Sequence, residues 1–218
     1  MDIRQLHTEI LDEKRKQMLQ AVTEHLPASA YLAGGTSLSL QRGYRVSVDF
    51  VFFTPDSFNA WQTADSLRES GYSLQENSLS DGTCDVLLDS VQVSLFRYPY
   101  PMLKPVHTSS EYPLLRLASI EDIAAMKLIA IGQRGARKDF YDLYEIIQDE
   151  HYSASDLVRL VKIKYQSVHS LAHIGMGLSY FEDAEQQVLG KVFREEDWGK
   201  MKKYFTRLSD NVMKELRA

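Results

Sequence analysis

Apolar residues along this chain recur at helical spacing near both ends, and in short, nearly continuous runs between them. Near the start, Ile3, Leu6, Ile10, Met18, Val22 and Leu26 fall roughly on one face of a helix. That pattern predicts an amphipathic helix over residues 3 to about 26, ended by Pro27. Ser29 to Ala33 reads as a short strand running into Gly34-Gly35-Thr36, followed by a short helix to about Gln41 that Gly43 breaks. Val46 to Thr54 is very apolar and is predicted as a central strand. Pro55-Asp56-Ser57 supplies a turn and an N-cap for a helix through Ser70, closed by Gly71. Tyr72 to Gln75 reads as a strand, and Cys84 to Leu88 with Gln92 to Tyr98 as a hairpin around Asp89-Ser90.

Pro99, Pro101 and Pro105 then mark a loop, and Leu114 to Ala118 a further strand. Ser119-Ile120-Glu121-Asp122 resembles a capping box. The helix it opens runs to about Arg134 and buries Ile123, Ala124, Leu128 and Ile131, with Gly135 separating it from a second helix over Lys138 to Gln148. From Ser155 onward the spacing of Leu157, Leu160, Val161 and Ile163, and later of Trp198, Met201, Phe205, Leu208 and Val212, predicts helix throughout. The layout is an α+β protein: a mixed sheet flanked by helices over residues 1–110, then a helical domain over 111–218.

Composition narrows this picture without changing it. At 218 residues, 44% hydrophobic and 25% charged, the chain is long enough for a real core. No apolar run approaches the ~20 residues of a membrane span. The first residues carry acids and no apolar stretch, so no signal peptide is expected and the cytoplasm is the default location. The single cysteine, Cys84, excludes an internal disulfide and a multi-cysteine zinc site, and its strand context predicts a buried thiol. A net charge of −5 argues against tight, sequence-independent nucleic-acid binding by the chain as a whole, although Arg134–Lys138 and Lys200–Lys203 are locally basic. Of the histidines only His169 and His173 have the spacing of a helical metal pair, and no glutamate beside His169 completes a protease motif. Phe52, Phe53, Phe96 and Tyr98 read as core.

Three stretches carry candidate chemistry. In Tyr31-Leu-Ala-Gly34-Gly35-Thr36-Ser37 a strand enters two glycines and a helix follows. Glycines allow a tight turn and close approach to a phosphate, and the helix N-terminus offers free N–H groups. A plain strand-to-helix turn fits the same residues. In Arg45-Val-Ser-Val-Asp49-Phe-Val51 a carboxylate stands in an apolar strand. A buried charge is expensive unless paired or metal-bound, so Asp49 reads either as a metal ligand or as a hydrogen-bonded acid near a strand end. In the third stretch Lys127 and Arg134, seven residues apart, point the same way, and Asp139 and Asp142 are neighbours on the next helix. They form either a charged cluster at the mouth of a site or a set of inter-helix salt bridges.

Taken in order, these stretches resemble the AbiEii/AbiGii toxin family of nucleotidyltransferases, a branch of the polymerase-β-like superfamily. The matching text is Tyr31-Leu-Ala-Gly-Gly-Thr36, Ser47-Val-Asp-Phe-Val-Phe-Phe-Thr54, Val93 to Pro101, Ala118 to Lys127 and Arg137 to Tyr144; Leu178 to Ala184 and Glu196-Asp-Trp198 resemble one subgroup. The resemblance implies a nucleotidyltransferase-like fold in which Gly34, Gly35, Thr36 and Ser37 hold nucleotide phosphates and Asp49 is the first metal carboxylate. It further implies that Lys127 touches phosphate, that Asp139 is a base or positioning group, and that Asp142 is its companion acid. It brings with it Mg²⁺, an NTP substrate, an RNA acceptor such as the tRNA 3′ end, and a cognate antitoxin protein.

One residue departs from the family pattern. An aspartate is expected two residues after Asp49, and the chain has Val51, which cannot ligate a metal. Mg²⁺ is held by one or two carboxylates together with phosphates, so the loss of one weakens metal binding strongly. Asp85 or Asp89 on the hairpin is a candidate substitute acid. A weakened enzyme, a natural pseudoenzyme and a disarmed toxin all fit this departure, as does an inactive nucleotide- or partner-binding module.

Overall fold

The computed structural model describes residues 5–166, 171–194 and 196–215. The chain divides into two compact units, Met1–Pro101 with Pro105–Ser119, and Met102–Lys104 with Ile120–Ala218.

The first unit is built on a mixed sheet. In chain order it contains α1 (Glu13–Glu24), β1 (Tyr31–Ala33), α2 (Gly34–Arg42), β2 (Phe50–Thr54), α3 (Ala60–Arg68), β3 (Leu74–Ser80), β4 (Thr83–Leu88), β5 (Val91–Arg97), β6 (His107–Thr108) and β7 (Arg116–Leu117). The strand order is β3-β4-β5-β2-β1-β7-β6. The predicted central strand is therefore central, pairing antiparallel with β1 and parallel with β5.

The alternation along β2 separates two faces. Phe50, Phe52 and Thr54 are buried, whereas Val51 and Phe53 are half-buried. The buried face packs Phe50, Phe52, Cys84, Val86, Val93 and Leu95 with Met18, Val22, Ala64 and Leu67 from α1 and α3. Burial there pushes the Cys84 thiol up to about 11, with Asp85 and Glu76 adding to the effect, so it is no nucleophile at neutral pH. The opposite face carries the row Ala33, Val51, Ser94 and Asp85, one residue from each of four neighbouring strands.

Several elements differ from their sequence expectation. The described part of the helix expected over 3–26 is a 3₁₀ turn, Thr8–Ile10, followed by α1, and Ile3 lies outside the described residues. Asp12 divides them: its side chain accepts from the Arg15 N–H and caps α1 while Leu11 is extended. Periodicity could not reveal that break, because Leu6, Ile10 and Leu11 are all buried across it. The helix placed after Ser57 starts at Asn59, whose Oδ1 accepts from Trp61 N at 3.0 Å and Gln62 N at 3.1 Å. Strand β3 continues to Ser80 through exposed polar residues, since as an edge strand it pairs with β4 only. Residues 46–49 lie outside β2. Side chains bind the carbonyls at both ends of that segment, Arg45 Nη1 donating to Val46 O at 3.0 Å and Thr36 Oγ1 to Asp49 O at 2.6 Å. The hairpin turn falls at Asp89, with φ of 53°, as the sequence implies.

The second unit is helical: α4 (Ile120–Arg134), α5 (Arg137–Glu150), α6 (Ala154–Tyr165), α7 (Leu171–Gly177), α8 (Glu182–Glu185) and α9 (Trp198–Glu215). Helix α4 packs on α5, α6 and α7, and α9 packs on α6 and α7. Where α7 meets α4 no side chain fits: a Cβ on Gly177 would meet Gly132 Cα at 2.8 Å. Phe140 packs against Phe181, Trp198 and Phe205 at centroid distances of 5.3, 5.9 and 5.1 Å. The uniformly helical reading from Ser155 onward does not hold, because the described residues between α8 and α9 are irregular. Asp122, read from the sequence as part of a capping signal, is fully buried. Its carboxylate accepts from Leu103 N at 3.0 and 3.1 Å and from Lys104 N at 3.3 Å, and pairs with Lys164 Nζ at 2.6 Å. No helix among the described residues is long and apolar enough to cross a membrane.

Candidate functional site

The sequence-predicted residues occur as two groups, one in each unit. In the first unit β1 enters α2 through Gly34, whose φ of +66° is the left-handed conformation that glycine adopts without penalty. A Cβ at Gly34 would meet nothing within 4 Å. The N-cap residue of α2, Ala33, makes no side-chain cap. Gly35 is different, because a Cβ there would lie 2.1 Å from Arg45 Nη2.

Thr36 and Ser37 are buried, at 1% and 0% exposure, so their hydroxyls work inside the protein. Thr36 Oγ1 bridges from the helix start to the Asp49 carbonyl oxygen and to Ser47 Oγ at 2.9 Å. Ser37 Oγ accepts from Gln41 Nε2 at 3.2 Å, and the same amide donates to Ala118 O at 3.0 Å. The Thr36 hydroxyl thus holds the glycine turn against the segment that carries Asp49. The Asp49 side chain is half-buried and has no hydrogen-bond or ion-pair partner among the described residues.

The fit of this group to a divalent cation can be tested against the row beside it. Val51 stands between Ala33 on β1 and Ser94 on β5. Asp85 lies one strand further, where it accepts from Ser94 Oγ at 2.7 Å and from Gln92 Nε2 at 3.1 and 3.3 Å. Asp89 sits in the hairpin turn, paired with Lys14 Nζ at 2.6 Å and accepting from Ser73 N at 3.1 Å. Neither acid stands next to Val51 in the sheet. No group of three or more His, Cys, Asp or Glu suited to a metal occurs among the described residues. The side chains present do not fit a two-carboxylate metal centre.

The second group is an ionic network. Lys127 Nζ lies 2.8 Å from Asp139 Oδ1 and 2.6 Å from Asp142 Oδ2, with all three side chains buried. Arg134, more than half exposed, donates from Nε to Asp139 Oδ2 at 2.8 Å and from Nη2 to Asp139 Oδ1 at 3.0 Å. Burial alone would raise the Asp139 carboxyl, but Lys127 and Arg134 outweigh it and hold it below the usual carboxylate range. Two cations face two anions, so these four charges cancel within the network. Beside Arg134 an open cleft of about 490 Å³ is lined by Gly135, His173, Met176, Tyr180 and Asp183 among others. His169 lies outside the described residues.

Three contributors escaped the sequence reading. Arg45 and Ser47 stand in the quoted stretch around Asp49, yet neither spacing nor polarity marked them, because their partners are on α2. Ser94 was hidden in an apolar strand, and only pairing with Asp85 across the sheet reveals its hydroxyl as a donor.

Comparison with known proteins places this arrangement among relatives. The family model described as "Nucleotidyl transferase AbiEii toxin, Type IV TA system" matches residues 17–103 and 82–216. An uncharacterised protein of Aquifex aeolicus (strain VF5), aq_aa25, is 36% identical over 200 residues, spanning 89% of this chain and 93% of that one. Among solved structures, JHP933 from Helicobacter pylori superposes with a TM-score of 0.58 at 18% identity, covering 95% of each chain. MenT4, a nucleotidyltransferase toxin from Mycobacterium tuberculosis H37Rv, gives 0.55 at 16% identity, covering 97% of this chain and 87% of that one.

Proposed function

The chain belongs to the AbiEii nucleotidyltransferase toxin family, and from that premise we propose that it is a toxin-type nucleotidyltransferase impaired at one position, Val51. The reaction is transfer of a nucleoside monophosphate from an NTP to an acceptor hydroxyl at the 3′ end of an RNA such as tRNA. The acceptor hydroxyl gives its proton to solvent as its oxygen bonds to the α-phosphorus, the bond to the β-phosphate breaks, and pyrophosphate leaves. Gly34 and Gly35 supply the backbone that phosphates approach, with Thr36 and Ser37 bracing it. Asp49 is the remaining carboxylate of the site. Lys127, to which the family resemblance assigns a phosphate contact, is held between Asp139 and Asp142. Asp139 acts as a positioning group for Lys127 rather than as a base, because a carboxyl held below its ordinary range takes a proton poorly. The protein acts in the cytoplasm and is held in check there by a cognate antitoxin protein.

The observation that carries this reading is the row Ala33, Val51, Ser94 and Asp85, in which an apolar side chain fills the place beside Ser94 that the family gives to a carboxylate. With Val51 in that place the side chains present do not complete a two-carboxylate Mg²⁺ site, which weakens metal binding. The test is to incubate the protein and its Val51→Asp variant with labelled NTPs, Mg²⁺ and total tRNA. Labelling by the variant and little by the parent supports an impaired enzyme; a silent variant that folds and binds Mg²⁺ no better than the parent sinks it.

A second reading, an inactive nucleotide- or partner-binding module on the same fold, is favoured by the self-neutralised Lys127 network. Calorimetric titration with each of the four NTPs, with and without Mg²⁺, separates the two. Binding that ignores the metal favours the module.

A further inference from the structure

The glycine pair is not one device but two. Gly34 has a positive φ and open space where a side chain would begin. Gly35 does not have a positive φ, and the space beside its Cα is taken: a Cβ would stand 2.1 Å from Arg45 Nη2, 3.2 Å from Arg45 Cζ and 3.1 Å from Ser47 Oγ. The group that fills the place of a side chain at Gly35 is therefore a guanidinium from ten residues further along the chain. That guanidinium is poorly placed to yield. Arg45 is only 7% exposed, its Nη1 donates to Val46 O at 3.0 Å, and its Cζ lies 5.7 Å from the ring centre of the buried Tyr44.

The contact sits beside the Thr36 bridge. Thr36 reaches Ser47 Oγ and Asp49 O, while Arg45 lies on Gly35 and bonds Val46 O. Residues 46–49 belong to no strand, so side chains rather than a neighbouring strand hold this segment. We infer that Arg45 is a positioning residue for Asp49, and that Gly35 is kept free of a side chain to admit the Arg45 guanidinium. This deepens the functional proposal at Asp49, on which its relevance to catalysis rests; the packing claim stands without it.

The inference makes a sign-reversing prediction. With Arg45 present, Gly35→Ala overpacks the turn, which typically destabilises, and should lower the melting temperature by roughly 5 °C. With Arg45→Ala the severe contact is gone, and the Ser47 Oγ contact at 3.1 Å is left. Alanine then favours the helix over glycine, so Gly35→Ala should be neutral or raise the melting temperature by roughly 1–2 °C. The experiment is the four-protein cycle (parent, Gly35→Ala, Arg45→Ala and the double variant) with Arg45→Lys as the conservative control. Melting is followed by calorimetry, and amide hydrogen exchange by mass spectrometry on peptides covering residues 44–50. Arg45→Ala should speed exchange in those peptides at least tenfold while leaving helical-unit peptides unchanged, and Arg45→Lys should recover part of the protection. An equal loss from Gly35→Ala in both backgrounds would overturn the packing claim, and unchanged exchange at 46–49 in Arg45→Ala would overturn the positioning role. Both readouts are taken without nucleotide, so their failure is distinct from failure of the transferase reading. In the Val51→Asp background, if tRNA labelling is restored, Arg45→Ala should reduce kcat at least tenfold with little change in KM for NTP.

Discussion

The two groups of candidate residues treat charge in opposite ways. Around Asp49 the chain leaves a half-buried carboxylate with no partner among the described residues, and places a valine, Val51, two positions on beside Ser94. Around Lys127 the charges are paired: one buried ammonium between two buried carboxylates, and one half-exposed guanidinium clasping the first of these. A partly exposed charge keeps much of its hydration and tolerates solitude, whereas a buried one is tolerable only when its partners are in place. The contrast teaches that the Lys127 group is built to be rigid and that the Asp49 group is built to meet something. Substitutions should therefore cost stability in the first group and alter function in the second.

The largest effect that sharpens this contrast is expected for Lys127→Ala. It leaves Asp139 and Asp142 buried without the ammonium between them, and should cost about 3–5 kcal/mol of stability by urea denaturation. A loss below 1 kcal/mol would break the comparison, because the network would then be no more structural than the Asp49 group. Next comes Val51→Asp, expected to raise tRNA labelling on the order of a hundredfold while changing the urea midpoint little. The charge it adds is half-exposed and faces the Ser94 hydroxyl's neighbourhood rather than a hydrocarbon core.

A pH titration gives a smaller effect. The Asp139 carboxyl is held below its ordinary value of 3.8 in the folded protein, so the unfolded chain takes up its proton first as pH falls. The stability it contributes is complete at neutral pH. It declines as pH drops through the ordinary carboxylate value toward the lower folded value. Urea midpoints between about pH 6 and pH 3 should fall with that acid limb, and Asp139→Asn should flatten its own share of it. The smallest effect is expected for Asp49→Asn, within about 0.5 kcal/mol in stability, because no partner is lost. The same substitution in the Val51→Asp background should abolish labelling. A large loss of stability from Asp49→Asn would place Asp49 with the structural group instead.

The legibility of fold and site followed the range of the interactions involved. Elements held by their own periodicity or turn chemistry were readable: the Cys84–Tyr98 hairpin around Asp89, the α4 and α5 helices separated by Gly135, and the Gly34 bend. Elements held by their surroundings were not. The polar outer half of β3 is a strand only because β4 lies beside it, and the break before α1 is set by the Asp12 cap within an unbroken apolar pattern. At the site, the residue types at Asp49, Lys127, Asp139 and Asp142 were visible in order, but the roles of Arg45, Thr36 and Ser94 were not. Each acts on an atom that sequence spacing does not bring near.

By itself the amino-acid order determined which chemical groups this protein has and lacks: a glycine bend before a helix, one carboxylate ahead of the central strand, and an isopropyl group two positions on. Side-chain chemistry is a property of single residues, and no fold can make Val51 ligate. Tertiary structure alone decided which charges are spent. Lys127 meets Asp139 across 12 residues, Lys164 meets Asp122 across 42, and Arg45 lies on Gly35. The free energy of a charge depends on its solvent exposure and on what stands within a few ångströms of it, and both are set only when distant parts of the chain come together.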